Sequence, residues 1–268
     1  MQAVQEKTEI LKQALQQTVQ DRTAAKQPVA EFIASGGLAE EMNAVLYSAL
    51  QPDFVRANDI GMKTVTIADT PDFVINVELL RDAQSRLHSV VADAFVVMCG
   101  SSPIIQRSYR IADCEDLSAF VPGAALQLQQ ESVYDGGVLY EDRQQPLVHD
   151  YSSSSPFISF RVSYKPLLPQ MWSFDRDTMR AAYPVLTRTE FSAFILLCKT
   201  MAAMQETRAV PLISSLADHP SHAVRWAVVQ ALGRLDPQAA LQHLRQAVND
   251  PHPHIRNAAQ KTLARLEA

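Results

Sequence analysis

The chain has 268 residues, of which 47% are hydrophobic and 20% are charged, and its formal net charge is −5. This composition supports a full buried core, and the acidic balance excludes a generally polycationic protein that binds nucleic acid. The sequence has no stretch near the roughly 20 apolar residues of a membrane span, and its first residues lack the apolar segment of a secretory signal. The three cysteines are odd in number and widely spaced, which argues against disulfides and predicts a cytoplasmic protein.

Residues 1–58 are predicted to form an N-terminal helical segment. The "SGG" at 35–37 is expected to break this segment into at least two helices, because consecutive glycines end helices. Apolar residues recur here at the i, i+3, i+4 spacing of one buried helix face. They are Met42, Val45, Leu46, Ala49 and Leu50.

Residues 59–168 have the pattern of a β-domain. Short runs rich in β-branched and aromatic residues are separated by turn clusters such as "VPG" and "SSSSP". Many short strands at regular spacing predict a β-sandwich or barrel. The runs are "MKTVTIA", "FVINVELL", "AFVVMCG", "IIQRSYRI", "ALQLQQESVY" and "FISFRVSY".

The remaining segment, 169–268, is predicted to be helical throughout, and its end repeats. The run "HPSHAVRWAVVQALGRL" (219–235) aligns with "DPHPHIRNAAQKTLARL" (250–266) at an offset of 31 residues. These units resemble HEAT repeats of the phycobilisome-lyase type, and such solenoids usually bind protein partners. We expect their apolar residues to face inward, onto each other and onto the helices around 194–204: Val224, Val228, Leu232, Leu235, Ile255, Leu263 and Leu266.

The stretch "LHSVVADAFVVMCGSS" (87–102) resembles the metal-binding strand of a cupin barrel, where that family carries His-x-His-x-x-x-Glu. The run "SSSSPFISFRVSYKPLLPQMWSFDRDT" (152–178) is similar to the final strand and exit of one cupin family, the cysteine dioxygenases. The resemblance implies an α+β chain, with a cupin-like β-barrel (jelly roll), N-terminal helices and a C-terminal helical segment of HEAT-like repeats. It also implies an iron ion held by three neutral histidines, and it leaves a homodimer open.

The residues at the family's iron positions cannot supply imidazole. Two of the histidines would fall at Leu87 and Ser89, and the third near Pro146 or Leu147. Because side chains alternate between the two faces of a strand, His88 is expected to point outward if Leu87 points into the barrel. This departure from the pattern predicts a barrel without a metal cofactor, with iron as the alternative.

The barrel interior and mouth are predicted to bind a small anionic ligand. A buried arginine needs a carboxylate partner or an anionic ligand, so Arg161 either pairs with Asp93 or binds the carboxylate of a ligand. The paired acids of "VLYEDR" (138–143) are expected to be solvated. The candidate ligand-binding residues are Asp93, Tyr109, Tyr140, His149, Arg161 and Tyr164.

Two equivalent turns of the repeats, "DHPSH" and "DPHPH", are rich in histidine: His219, His222, His252 and His254. Stacked repeats place equivalent turns side by side. These imidazoles would then bind a common Zn²⁺ or Ni²⁺, or charge together near neutral pH toward an acidic partner. Ordinary turn residues are the plain alternative.

The sequence therefore favours a non-catalytic binding or scaffolding protein, in which barrel and repeats bind a protein partner or a small anionic ligand. No catalytic residue is assigned, and no role with nucleic acid or membranes is expected. The alternative is a divergent, iron-dependent cupin enzyme of the thiol dioxygenase type. A third hypothesis is an accessory subunit that regulates an enzyme.

Overall fold

The computed structural model describes residues 2–49, 64–80 and 86–266. It begins with three helices, α1 (Gln2–Gln17), α2 (Lys26–Ala34) and α3 (Gly37–Ala49). The predicted break at "SGG" is confirmed, because Gly36 lies between α2 and α3 with a φ of +79° that favours glycine. The predicted apolar face is only partly correct, because Leu46 is 61% exposed. Leu50 lies outside the described residues.

Eleven strands follow in the described part of the chain. All six runs that the sequence predicts as strands contain one: β1, β2, β4, β5, β6 and β9. The strands are β1 (Thr64–Asp69), β2 (Phe73–Leu80), β3 (Arg86–His88), β4 (Ala94–Gly100), β5 (Ile104–Ile111), β6 (Leu126–Val133), β7 (Leu139–Glu141), β8 (Leu147–Ser153), β9 (Phe157–Tyr164), β10 (Gln170–Asp175) and β11 (Arg180–Leu186).

The strands pair in a nested antiparallel order. β2 pairs with β9, β4 with β7, and β5 with β6, while β3 meets β8 through a bridge between Ser89 and Val148. Two further pairings, β4 with β9 and β5 with β8, assemble the sheets β1-β2-β9-β4-β7 and β6-β5-β8. A long antiparallel hairpin rolled in this way is a jelly roll, the barrel type that includes the cupins. The α+β, cupin-like fold class is thus confirmed.

The chain does not turn helical directly after residue 169, as the sequence had suggested. Strands β10 and β11 join β3 in a third sheet, of order β11-β10-β3. Trp172, Ser173 and Phe174 of β10 are fully buried. A strand that is buried on both faces shows no alternation of apolar and polar residues, so its short run lacks the pattern that identifies strands in a sequence.

The N-terminal helices cover the outer face of the first sheet. Alternate residues of β2 and β9 form one core with α1 and α2, and the Phe32 ring stacks on that of Phe160 with centroids 5.6 Å apart. Because side chains alternate along a strand, the intervening residues of β2 and β9 face the barrel interior. The buried members of this core on those four elements are Leu11, Leu15, Val29, Phe32, Phe73, Ile75, Val77, Phe160, Val162 and Tyr164.

Five helices complete the chain: α4 (Thr189–Ala203), α5 (Val210–Ser214), α6 (His222–Leu235), α7 (Pro237–Ala247) and α8 (Pro253–Leu266). Three of the four predicted inward residues of α6, namely Val228, Leu232 and Leu235, share a core with α4, and the fourth is buried as well. Ile255 and Leu263 of α8 pack against Leu244 of α7. Leu266 was predicted to face inward and is instead 66% exposed, because it ends the last turn of α8.

By its contacts the chain divides into two compact units, and each of them is made of three separate segments. The first comprises residues 1–114, 123–168 and 173–182, and the second comprises 115–122, 169–172 and 183–268. Within the second unit, Trp172 Nε1 donates a hydrogen bond of 2.7 Å to the Leu117 carbonyl. Among the described residues, no helix is long and apolar enough to cross a membrane.

Removal of the repeats should destabilise what remains of the second unit. A chain ending at residue 205 exposes Cys198 and Ala202, which α6 buries in the full chain. We expect an insoluble product, or one with a broad thermal transition, compared with the full chain by calorimetry and near-ultraviolet circular dichroism. A soluble product with a sharp transition would show that the repeats are an independent appendage.

Candidate functional site

The barrel interior is lined by apolar side chains of both sheets. Val96, Met98 and Phe157 from the first sheet pack with Ile104 from the second. Leu80, Tyr134, Leu139 and Tyr151 are partly buried against them. The residues next to these on the same strand faces therefore also point inward, and they include several polar and charged side chains.

The most prominent of these polar groups is an ion pair between Arg161 and Glu141. Arg161 donates from both terminal nitrogens to the Glu141 carboxylate, and its Nη2 lies 3.1 Å from Oε1. The Glu141 side chain is 4% exposed and that of Arg161 is 35% exposed. Burial alone would raise the pKa of Glu141, but the charge and hydrogen bonds of Arg161 hold this pKa below its ordinary value. The carboxylate is therefore ionised.

Tyr151 and His149 of β8 adjoin this pair. The Tyr151 hydroxyl lies 3.5 Å from Glu141 Oε1, and the rings of His149 and Tyr151 are stacked with centroids 6.3 Å apart. His149 Nδ1 lies 2.9 Å from the Ser108 hydroxyl. Burial, the largest effect, lowers the pKa of His149 although Glu141 opposes it, so the imidazole is neutral near pH 7.

The predicted pairing of Arg161 with Asp93 is wrong. Asp93 accepts hydrogen bonds from the Arg22 guanidinium and, at 3.2 Å, from the backbone N–H of Arg143. The partner of Arg161 is Glu141, which lies opposite Ala94 on β7 and faces the interior rather than solvent. The expectation of solvated acids in "VLYEDR" is therefore incorrect for Glu141.

Two predicted tyrosines lie on the helix-covered face rather than in the interior. The Tyr164 hydroxyl shares a hydrogen bond of 2.8 Å with Thr18, and the Arg22 guanidinium lies 5.4 Å from the centre of the Tyr164 ring. Tyr140 packs against Phe95, with ring centroids 5.2 Å apart. In this structure Tyr140 and Tyr164, like Asp93, therefore contact the N-terminal segment or its core.

Tyr109 also lies outside the interior. In the pairing of β5 with β8, Tyr109 lies opposite Val148, and the next pair along the strands is Ser108 with His149. Opposite residues share a face and successive residues alternate, so Tyr109 faces away from the interior that His149 enters. Of the six predicted ligand-binding residues, the structure thus places only His149 and Arg161 together in the barrel interior, while Asp93 and Tyr140 contact each other on the helix-covered side.

The structure also reverses the expected orientation of His88. Ser89 pairs with Val148, so His88 lies opposite His149, one step along each strand. Because His149 enters the interior, His88 does too, whereas Ser89 and Val148 face away from it. His88 Nδ1 is buried without a hydrogen-bond partner, and burial lowers the pKa of this side chain. The prediction that Leu87 points inward and His88 points outward is therefore wrong, because the two residues have the opposite orientations.

The interior residues do not fit an iron ion held by three imidazoles. Leu87 and Ser89 lie on the opposite face, and both Glu141 oxygens already accept bonds from Arg161. Across residues 2–49, 64–80 and 86–266, the one group of three potential metal ligands that converge lies in the repeats. His88 and His149 are the two imidazoles that the barrel strands direct inward.

Comparisons with known proteins found one matching family model and several similar solved structures. Residues 186–264 match the family model for HEAT repeats. A search of curated proteins found no match. One similar solved structure is hydroquinone 1,2-dioxygenase from Sphingomonas sp. TTNP3, with 13% identity and a TM-score of 0.31, covering 42% of this chain and 71% of that one.

Two other similar structures are cupins. A cupin domain from Bordetella pertussis has 12% identity and a TM-score of 0.25, covering 40% of this chain and 100% of that one. An RmlC-like cupin protein from Ralstonia eutropha has 14% identity and a TM-score of 0.26, covering 51% of this chain and 74% of that one. The jelly-roll assignment itself rests on the strand order of the present chain.

Removal of one partner of the ion pair should lower the stability more than removal of both partners. Arg161→Met leaves the Glu141 carboxylate buried without its partner, and we expect a loss at the lower end of about 3–5 kcal/mol, because Arg161 is partly exposed. The double variant Arg161→Met/Glu141→Leu removes both charges and should unfold near the wild-type denaturant midpoint. Equal losses in the two variants, measured by urea denaturation, would contradict this prediction.

Proposed function

We propose that this chain is a non-catalytic binding protein, in which the jelly-roll interior binds a small carboxylate ligand and the HEAT-like repeats bind a protein partner. The observation that carries the first part is the buried, ionised pair of Arg161 and Glu141 between apolar walls. A fixed guanidinium in a concave apolar site is a typical means of orienting a carboxylate.

The ion pair leaves part of Arg161 accessible to an anion. The contacts to Glu141 come from the two terminal nitrogens of Arg161, while the side chain keeps 35% of its surface exposed. A guanidinium has more N–H donors than these two bonds use. The neighbouring walls, including Val96, Met98 and Phe157, are apolar. The ligand class that fits is a carboxylate with a short aliphatic or aromatic tail.

A panel of small carboxylates tests this proposal. Acetate, butanoate and phenylacetate would each be compared with the corresponding neutral amide by thermal denaturation. At about ten times its dissociation constant, a bound carboxylate should stabilise the chain by about 1.4 kcal/mol. The amides should have little effect, and the stabilisation should vanish in Arg161→Met/Glu141→Leu. No carboxylate-specific stabilisation, or the same stabilisation in the double variant, would refute the barrel site.

The proposed partner surface belongs to the second unit. Large apolar side chains are exposed on and next to α4 and α5, namely Leu196, Leu197, Met204 and Leu212. Exposed apolar groups of this kind are frequent at protein interfaces, which supports a protein partner. A cytoplasmic location and a homodimer stay predictions.

The alternative function, an iron-dependent oxygenase, is favoured by one observation, the common inward face of His88 and His149. Chain purified without an affinity tag and incubated anaerobically with Fe²⁺ should retain no stoichiometric iron by elemental analysis, because the barrel lacks a third imidazole. His149→Ala and the control His243→Gln, which lies in α7, should behave alike. One iron per chain, lost together with thiol oxidation in His149→Ala, would establish the oxygenase instead.

A further inference from the structure

Three histidines of the repeats converge in the second unit. His222 begins α6, His252 directly precedes α8, and His254 lies in the first turn of α8. One potential ligand nitrogen from each of them lies within 4.8 Å of the others. The rings of His222 and His252 stack with centroids 3.6 Å apart, and His254 is edge-on to His252 at 5.0 Å. We call these three residues the histidine cluster.

The cluster forms because the two turns are clamped in the same way. Arg225 donates to the carbonyls of His219 and Pro220, and Arg256, 31 residues later, donates to those of Asp250 and Pro251. Arg225 also forms a bidentate ion pair with the Asp250 carboxylate at 2.7 and 2.8 Å, which ties the first turn to the second. The turns are therefore held side by side.

His252 is oriented as a metal ligand would be. Its Nε2 lies 2.6 Å from the Ser118 carbonyl oxygen, which only accepts, so Nε2 carries the proton and donates. Nδ1 of the neutral ring then bears a lone pair. This atom is buried without a hydrogen-bond partner in a residue that is only 7% exposed. Metal-binding histidines commonly donate their other N–H to a backbone carbonyl in this way.

The charges around the cluster leave the imidazoles without a carboxylate of their own. The nearby Asp250 is engaged by Arg225 and accepts the backbone N–H of His252 at 2.7 Å. Neutral imidazole nitrogens are preferred ligands of Zn²⁺.

We propose that His222, His252 and His254 bind one Zn²⁺ ion, and that the fourth coordination position is open to solvent and accepts a small anion. Zinc bound at about 2.0–2.1 Å brings three tetrahedral nitrogens to about 3.3–3.5 Å of one another. The cluster therefore needs only a small contraction, in which the stacked ring of His222 tilts away from that of His252. Three protein ligands with an open fourth position are typical of zinc sites that bind water or substrate.

We infer that the fourth coordination position is open because a groove lies beside the cluster. This groove, of about 410 Å³, is lined by His222 and His254 together with Lys199, Trp226 and Gln230. The Lys199 ammonium and the N-termini of α6 and α8 favour a negative charge there. These groups would disfavour a bare cation, but they support a metal that carries an anionic fourth ligand. The proposal concerns the second unit and does not depend on a ligand in the barrel.

Titration of the full-length, untagged chain with Zn²⁺ alone tests the site. Isothermal calorimetry and elemental analysis after dialysis should give one zinc per chain. We expect His252→Gln to lower the affinity about 100-fold or more, because it removes the anchored ligand. His254→Gln should weaken binding at least about 10-fold without unfolding the chain, because His254 is exposed. The matched control, His243→Gln, should bind as the wild type does.

Absence of a stoichiometric zinc ion in the wild type would overturn the proposal. So would equal affinities in His254→Gln and His243→Gln, since binding would then be unspecific. The fourth position is tested with Co²⁺ in place of zinc. Azide should shift the visible absorption of the cobalt form, and Lys199→Met should weaken azide binding without lowering the Co²⁺ affinity. A spectrum that azide does not alter would show that the fourth position is closed.

Discussion

The antiparallel bridge between Ser89 and Val148 decides which side chains of β3 enter the barrel. Ser89 directly follows β3 and joins it to β8 through one residue pair, whereas β4 and β7 share three. Because side chains alternate with a period of two, a shift of one residue would exchange every inward group of β3 for its neighbour. With this register, His88 faces inward opposite His149 and Leu87 faces outward. Whether β3 contributes a histidine to the interior therefore depends on this pairing.

Other strand pairings direct the interior charges in the same way. Glu141 belongs to a strand of only three residues, and it faces inward because β7 pairs with β4. Arg161 faces inward because Phe160 and Val162 on either side of it belong to the core under the N-terminal helices. Two opposite charges are thus directed into one small space by separate pairings, and they neutralise each other there. The pair therefore adds no net charge to the interior, and any selectivity for a ligand would come from the guanidinium N–H donors that Glu141 does not use.

The sequence predicted the strands whose composition is distinctive and missed the others. Runs such as "FVINVELL" and "FISFRVSY" show both β-branched residues and alternation, so β2 and β9 were found. The strands β3 and β7 have three residues each, too few for any period to show, and β10 has buried residues on both of its faces. The repeats were recognised because an offset of 31 residues preserves both the clamping arginines and the apolar positions.

The site was harder to predict, for a physical reason. Whether Asp93 or Glu141 pairs with Arg161 depends on contacts between strands far apart in the chain, and both acids look alike in the sequence. His88 was expected on the outer face because Leu87 was taken to point inward, and only the pairing of β3 with a distant strand decides between the two. The histidine cluster, by contrast, could be anticipated, because equivalent turns of stacked repeats become neighbours whatever the detailed packing.

The discontinuous second unit has a consequence for how such a chain arises and changes. The Leu117 and Ser118 carbonyls, which come from the loop between β5 and β6, accept bonds from Trp172 and His252 respectively. The repeats were therefore not simply appended behind a finished barrel, since their unit includes residues inserted between strands. Exchange of the repeat segment with that of another protein would need a matching loop. Recombination at a single point of the gene would separate acceptors from their donors, so loop and repeats are expected to evolve together.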